Sequence, residues 1–393
     1  MDAELAYLLL ICTLLVLPKA LQRLRIPEPL SAIALGVAAS ALLTLGQNAA
    51  VHFAAVLGIA ALFLHAGLEV NADHLRAQKT ALIAFSLLRL ASIAGVSWLV
   101  WRYLSLPWQA ATLFALAVLT SSTGFILDSL DRYAFDPAQR VAIANEAITG
   151  ELLALALMFV VLQSDGALHF AGATAALAAL VAALPLVFIA LWRWIVPHAP
   201  GSQFSLLVMV AVAAAAMTER LGVEMLLGAF LAGLVASWLQ ARKQAVVPQE
   251  TLHAVKLFYT FFLPFYFFRS GTAVPLDAFG VEALGWGFLL CLLLPGRVLA
   301  TRYRRRLWGE AAAESSAVAT TLMPTLIFTV VMAQILLDRF ALPQPLYGGL
   351  LIYAFVNTLL PSLLMRVGLD IPPRRRQVAA VGREPKTAEQ SPE

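Results

Sequence analysis

The chain has 393 residues, of which 61% are hydrophobic and 13% are charged, whereas a soluble domain carries about 25% charged residues. This composition excludes a soluble globular protein and indicates a polytopic membrane protein. The formal net charge of +4 is too small and too scattered for a nucleic-acid-binding protein. The two cysteines, Cys12 and Cys291, offer neither a disulfide framework nor a metal-ligand spacing.

Hydropathy over a window of about 20 residues predicts thirteen membrane spans. Each should be helical, because an open chain in lipid has no other way to satisfy its backbone hydrogen bonds. The connections are short, so no soluble domain is inserted, and the first span lacks a cleavage site, which predicts a retained helix rather than a signal peptide. The predicted spans cover residues 3 to 21, 28 to 45, 50 to 68, 80 to 102, 108 to 130, 138 to 163, 169 to 195, 203 to 218, 222 to 240, 251 to 273, 280 to 302, 314 to 337 and 345 to 367.

Residues 369–393 are polar and rich in Pro and Arg, which predicts a disordered tail. Basic residues orient a membrane chain because they collect in cytoplasmic loops. With the N-terminus outside, the inner loops and tail hold 21 of them and the outer loops hold 3. We therefore predict an outer N-terminus and a cytoplasmic C-terminus in the cell membrane, with the bacterial inner membrane as first choice. A C-terminal reporter found on the outer face would contradict this orientation.

Three basic residues fall inside predicted spans. Arg269 lies near the outer end of its span, where its side chain can reach the membrane interface. Arg89 in span four and Arg297 in span eleven lie deeper. Charges at such depth usually pair or line a water-filled cavity. A pairing or functional role is therefore predicted for both.

Two spans are interrupted by hydroxyl residues and a helix breaker. Span five contains LTSSTG at 119–124, and span twelve contains TTLMPT at 320–325. Either segment alone could be a bend in which Ser and Thr bond to carbonyls one turn earlier. Both, however, are the middle members of three-span groups of opposite orientation, spans four to six and eleven to thirteen, which is typical of an inverted repeat around a midplane ion site. The predicted fold is an all-α membrane protein of about thirteen helices, with two broken helices crossing in a core bundle.

Several segments, in this order and spacing, resemble the monovalent cation:proton antiporters, which include sodium/proton and potassium/proton exchangers. The resemblance covers about residues 5–368. One departure is Arg269, at a position where the potassium-efflux and sodium-exchange branch usually has no arginine. The segments that carry the resemblance are HAGLEV at 65–70, LTSSTG in the broken helix, ERLGVEMLLGAFLAGLVAS at 219–237 and FFLPFYFFRSG at 261–271.

The resemblance implies a homodimer in which a core bundle moves against a scaffold and exposes the ion site to one side of the membrane at a time. Small residues in GAFLAG, 228–233, fit close helix packing in the scaffold. The implied parts are scaffold and dimerisation helices in residues 1–79 and 201–275, core halves in 80–165 and 276–368, a linker helix in 166–200 and the tail in 369–393.

Two glutamates interrupt an apolar run in span six, which reads NEAITGE at 145–151. The resemblance aligns Glu146 with a family glutamate that pairs with a basic residue, here Arg297, and Glu151 with the family's ion-binding aspartate. Gly150 departs from the pattern, because the family places an acid or an amide there. A five-residue step turns about 140° around a helix, so the two glutamates should have separate roles.

The predicted function is exchange of Na⁺ or K⁺ for H⁺ by alternating access, one cation for one proton and therefore electroneutral. Glu151 would carry both ions, and oxygens of Thr120, Ser121 and Ser122 would complete the cation site. A sodium-coupled symporter of organic anions and a non-transporting sensor on a transporter fold remain alternatives. No cofactor is predicted, and the chain shows no nucleophile and base, phosphate loop or metal-ligand cluster that would indicate an enzyme.

Overall fold

The computed structural model describes residues 3–24, 26–42, 49–130, 135–164, 166–199, 201–221, 224–242, 247–307 and 312–367. Within these residues every regular element is helical. The predicted disordered tail, 369–393, and three of the loop residues that were used to orient the chain, Arg25, Arg132 and Lys243, lie outside the described residues.

The described part of the chain contains seventeen α-helices and two short 3₁₀ turns, Gln22–Leu24 and Leu276–Phe279. The helices are α1 Ala3–Leu21, α2 Glu28–Leu42, α3 Ala49–Leu68, α4 Ala72–Ala77, α5 Lys79–Leu104, α6 Trp108–Leu119, α7 Thr123–Leu130, α8 Pro137–Leu162, α9 Ala167–Trp194, α10 Gln203–Arg220, α11 Met225–Ala241, α12 Gln249–Thr272, α13 Val281–Cys291, α14 Leu293–Leu307, α15 Ala312–Thr321, α16 Leu326–Phe340 and α17 Gln344–Val367.

Each of the thirteen predicted spans coincides with one helix or with two consecutive helices. Spans five, eleven and twelve are the divided ones, and they become α6 with α7, α13 with α14, and α15 with α16. Among the described residues, eight segments are long and apolar enough to cross a membrane, and three shorter apolar helices accompany them. The predicted all-helical, polytopic fold class is confirmed. The chief difference in boundaries is α14, which extends to Leu307 where the predicted span ended at 302.

The division between α13 and α14 follows from one proline. Pro295 has no N–H to donate, and its ring clashes with the carbonyl four residues earlier. That carbonyl belongs to Cys291, where α13 ends. The next residue, Leu292, returns its N–H to the carbonyls of Phe288 and Leu289 at 3.2 Å each. The helix is therefore interrupted at a single residue, Leu292, and Arg297 lies in the first two turns of α14.

The helices pack in two groups. In one group α3 lies against α11 and α12, α2 lies against α12, and α10 lies against α11. In the other group α6 contacts α5, α8 and α16, while α17 contacts α13 and α16. The linker α9 contacts α10 and α11. The division into scaffold and core helices that the resemblance implies stays a prediction.

The two broken spans are the most enclosed of the eight long apolar segments. Protein buries 78% of the apolar stretch in residues 108–127 and 89% of the apolar stretch in residues 314–340. In α5 it buries only 11% of the corresponding stretch. Unwound backbone inside a membrane is tolerated only where protein or a water-filled cavity surrounds it. The backbone groups that the two interruptions leave unpaired therefore lie where surrounding protein can form hydrogen bonds with them.

Close contact between α3 and α11 depends on a pair of glycines. A Cβ atom on Gly233 would lie 2.2 Å from the carbonyl oxygen of Leu64, and one on Gly67 would lie 2.3 Å from that of Phe230. Both obstacles are backbone atoms, which cannot turn aside as a side chain can. Small residues at such crossings let membrane helices approach closely, as GAFLAG predicts.

We expect Gly233→Ala to destabilise the folded protein by about 1 to 3 kcal/mol, because the added methyl must force α3 and α11 apart. Thermal unfolding in detergent would measure the loss. Gly172→Ala in α9 is the matched control, since a Cβ atom there meets nothing within 4 Å. That variant should be neutral or gain about 0.5 to 1 kcal/mol from the better helix former. Equal melting temperatures for the two variants would contradict the role of the glycine contact.

Candidate functional site

The two interruptions meet at the centre of the core group. Residues 120–122 separate α6 from α7, and residues 322–325 separate α15 from α16. The Ser122 N–H donates to the Pro324 carbonyl at 2.8 Å, and the Ser121 hydroxyl donates to the Leu322 carbonyl at 2.5 Å. The unwound segments thus satisfy part of each other's backbone. Both predicted breaks are present, and they cross.

In each broken span, the N–H group at the start of the second helix donates a hydrogen bond to a side chain of the following span. The Thr123 N–H at the start of α7 donates to a carboxylate oxygen of Glu151 at 3.2 Å. The Thr325 N–H before α16 donates to the Asn357 side-chain oxygen, also at 3.2 Å. Asn357 in turn donates to the Thr325 hydroxyl at 2.7 Å. Glu151 in α8 and Asn357 in α17 therefore hold corresponding positions at the two breaks.

Ser122, in the first break, also bonds to the second break through its side chain. The Ser122 hydroxyl oxygen accepts the N–H groups of Ile327 at 3.1 Å and Phe328 at 3.3 Å, in the first turn of α16. These are among the N–H groups that a helix start leaves without an internal partner. The oxygen of Ser122 is therefore occupied by the protein itself, which weakens its predicted role as a cation ligand.

The carboxyl end of α6 is held by a cation and a tyrosine. Arg297 donates from Nη2 to the Leu119 carbonyl at 3.3 Å and from Nη1 to the Tyr353 hydroxyl at 2.7 Å. Tyr353 donates onward to the Val118 carbonyl at 2.5 Å. A positive charge is favourable at a helix carboxyl end, where carbonyls point outward and the helix dipole is negative. Sequence reasoning found Arg297 but missed Tyr353, because a tyrosine in an apolar helix is an ordinary core residue.

The predicted pair between Glu146 and Arg297 is not formed. Glu146, which is 3% exposed, instead accepts from Arg305 at 2.6 Å and 3.2 Å and is also paired with Arg304. Arg305 stands eight residues beyond Arg297, which is about 12 Å along a helix. Both partner arginines lie beyond residue 302, where the predicted span ended, and were therefore predicted to lie in a loop. As α14 runs to Leu307, they lie on the helix and face α8.

A cavity of about 80 Å³ lies beside the crossing and gathers several predicted residues. It does not include Glu151, Thr120 or Ser122, which are 4%, 0% and 1% exposed. The carboxylate of Glu151 is thus enclosed between the break and its own helix. The polar and charged groups around the cavity, with the one glycine that faces Arg89, are Arg89, Ser92, Ser121, Glu146, Gly150, Arg297, Thr301 and Arg304.

Two hydroxyls near the break retain lone pairs that could bind a cation. The Thr120 Oγ1 atom is buried and has no hydrogen-bond partner within the described ranges. The Ser121 hydroxyl uses its proton on Leu322, and no hydrogen bond to its oxygen is found among the described residues. Oxygen atoms of this kind, with a carboxylate, are the ligands that hard cations prefer.

A comparison with protein families identifies the chain. The family model described as sodium/hydrogen exchanger, transmembrane, matches residues 8–366. The chain belongs to the sodium/hydrogen exchanger family. The resemblance proposed from the sequence motifs is thereby confirmed, and the family places this exchanger among transporters rather than enzymes.

Solved structures show the same fold for this exchanger. It matches the structure at pH 8 of the sodium proton antiporter MjNhaP1 from Methanocaldococcus jannaschii with a TM-score of 0.68 and 16% identity, over 93% of this chain and 97% of that one. An electron-microscopy structure of the same antiporter matches with a TM-score of 0.68 and 15% identity, over 93% and 96% of the two chains. No curated protein sequence matches the chain.

The pairing of Glu146 in the exchanger leads to a prediction about stability. Removing one partner of a buried pair leaves the other charge uncompensated, which typically costs about 3 to 5 kcal/mol. We therefore expect Glu146→Gln and Arg305→Gln each to destabilise the protein strongly, and the double variant to lose much less than their sum. Unfolding in detergent would give the coupling energy, which for residues in contact reaches about 0.5 to 3 kcal/mol.

Arg306→Gln is the matched control for that cycle, because Arg306 is exposed on the same helix. It should change stability little and add independently to Glu146→Gln. A parallel cycle between Glu146 and Arg297 should also be additive within error. Strong coupling to Arg297 with none to Arg305 would instead restore the pairing inferred from the sequence.

Proposed function

We propose that this exchanger-family protein trades Na⁺ for H⁺ across the membrane by alternating access, with Glu151 as the group that holds either ion. The observation that carries the proposal is the position of Glu151. Its carboxylate is buried at the point where two unwound segments cross and accepts the first N–H of α7. An ionisable residue at such depth is expensive to bury and marks an ion pathway in membrane proteins.

The surroundings of Glu151 support both of its forms. Burial away from water favours the neutral acid, whereas the α7 amino end and the Thr123 N–H favour the carboxylate. Because these two effects oppose each other, the negative charge of the carboxylate can be neutralised either by a proton or by a bound cation. In the proposed site Thr120 and Ser121 supply neutral oxygens to Na⁺, which needs several oxygen ligands, whereas H⁺ bonds to the carboxylate alone. Binding of one ion therefore excludes the other, which is the requirement for exchange.

A second cavity supports movement between the two helix groups. It has a volume of about 270 Å³ and lies where α3 and α12 of the proposed scaffold face α7 and α8 of the proposed core. Polar and charged groups line it, namely His65, Glu69, Arg140, Lys256 and Tyr259. Under the proposed orientation this cavity is on the cytoplasmic side, and it gives the interface between the groups room to shift.

We expect one Na⁺ to exchange for one H⁺, because the site offers a single titratable acid. Gly150 contributes no second carboxyl group. Arg297 contributes no second proton, since a guanidinium stays charged at any pH that a cell meets. Glu146 is already paired with two arginines. One H⁺ or one Na⁺ therefore neutralises the single negative charge of Glu151, so the loaded site has the same net charge with either ion.

Replacing the acid should stop transport without unfolding the protein. We expect Glu151→Gln to abolish Na⁺-dependent H⁺ movement in proteoliposomes, read by a pH-sensitive dye inside the vesicles, because the amide can neither bind a proton nor balance a cation. Glu282→Gln, at an exposed position at the start of α13, should retain exchange.

Substituting K⁺ and Li⁺ for Na⁺ in the wild-type vesicles would establish the cation. Full activity in Glu151→Gln would remove Glu151 from the mechanism, and inactivity with every cation in the wild type would favour a non-transporting sensor.

The one-for-one count predicts independence from membrane potential. A potential of 100 mV is worth about 2.3 kcal/mol per charge, so an exchange that moves one net charge would change its equilibrium by about 50-fold. We expect a potassium-diffusion potential set by valinomycin to leave Na⁺-dependent H⁺ movement unchanged, after subtraction of the leak in Glu151→Gln vesicles. Na⁺-dependent H⁺ movement driven by the potential alone would overturn the electroneutral count while leaving exchange itself intact.

A further inference from the structure

The guanidinium of Arg89, a half-buried residue, has no described counterpart for its charge. Arg89 lies in α5 and lines the 80 Å³ cavity. Its Nε and Nη2 atoms are buried and have no hydrogen-bond partner in the described ranges. Its guanidinium carbon lies 5.8 Å from the ring centre of Phe85, which provides only a weak cation–π contact. Two strong donors therefore have no acceptor among the described residues.

The charges around this cavity do not balance. Three guanidinium groups line it, from Arg89, Arg297 and Arg304, but only one carboxylate, Glu146. That carboxylate also pairs with Arg305, so one negative charge serves two cations. Arg297 has the carboxyl end of α6 as a partial compensation. Arg89 has neither, and it cannot discharge itself by losing a proton. A negative group is missing from the wall beside Arg89.

Gly150 leaves the space in which such a group would stand. A Cβ atom on Gly150 would lie 3.9 Å from Arg89 Nη2 and 3.5 Å from the tip of the Phe85 ring. Both are ordinary contact distances, so the position has room for a side chain. The glycine therefore leaves the cavity open toward the Arg89 donors.

We propose that this cavity binds a small monovalent anion, with chloride as the representative species, held by the Nε and Nη2 donors of Arg89. Guanidinium groups are suited to anions because their charge is permanent and their donors point in one plane. A cavity needs about 10 to 15 Å³ in this measure to hold one water molecule, so 80 Å³ accommodates a chloride with a few waters. The anion would supply the negative charge that residue 150 lacks.

The test measures binding without transport. The purified full chain is melted in detergent at constant Na⁺ and ionic strength, while chloride replaces gluconate, an anion too large for the cavity. A ligand that binds only the folded state raises the melting temperature in a saturable way. We expect a rise on the order of 3 °C at saturating chloride, the size of shift that tight occupancy of one site produces in a chain of this length.

Two variants separate site binding from a general effect of the salt. Gly150→Asp places a carboxylate next to Arg89, so it should melt at the same temperature in chloride and in gluconate. Gly150→Asn has the same shape without the charge and should keep at least part of the chloride response. Arg89→Gln removes the donors and should lose the response.

Three results would overturn the anion site. One is a wild-type protein whose melting temperature is the same in both anions, which would leave water as the occupant of the cavity. Another is a chloride response that persists in both Gly150→Asp and Arg89→Gln, which would be a bulk salt effect. The third is a rise that never saturates. None of these measurements uses an ion gradient, so they leave the exchange mechanism at Glu151 untested and intact.

Discussion

The structure depends on the mutual satisfaction of two unwound segments in the membrane interior. Each break releases backbone N–H and carbonyl groups that lipid cannot solvate. Two hydrogen bonds join the breaks directly, from Ser122 to Pro324 and from Ser121 to Leu322. Three side chains satisfy further backbone groups at the breaks, namely Glu151 from α8, Arg297 from α14 and Asn357 from α17. Neither break could persist alone, because each supplies part of the other's hydrogen bonds. The crossing therefore fixes the positions of the helices that carry the charges.

Helix ends then decide which charge stands where. The carboxyl end of α6 takes a cation, Arg297, and the amino end of α7 takes an acid, Glu151. At the second break an uncharged amide, Asn357, takes the place that corresponds to Glu151. The two halves thus share a geometry but differ in charge, and this difference leaves one titratable group at the crossing. A symmetric pair of acids there would repel each other and would have to share protons.

Much of this arrangement could be predicted from the sequence, because its signals are local. Hydroxyl clusters beside a glycine or a proline in long apolar runs predict the breaks, and NEAITGE predicts buried acids. The partner of Glu146 that the resemblance implied, Arg297, was wrong. Arg304 and Arg305 were missed because the predicted span ended at residue 302, and helix ends are harder to predict from sequence than helix interiors. Asn357 could have been found as an isolated amide in an apolar helix. Tyr353 could not, since nothing in the sequence separates it from the other core tyrosines.

The two glutamates of NEAITGE are divided by their partners rather than by their chemistry. Glu146 faces two permanent cations, which hold it as a carboxylate and leave it unable to exchange a proton for a metal ion. Glu151 faces a backbone N–H, which stabilises a negative charge without cancelling it. One acid thus secures α8 against α14, and the other keeps a charge that H⁺ or Na⁺ neutralises in the proposed mechanism. A step of five residues on one helix is enough to separate these roles, because it turns the two side chains toward different neighbours.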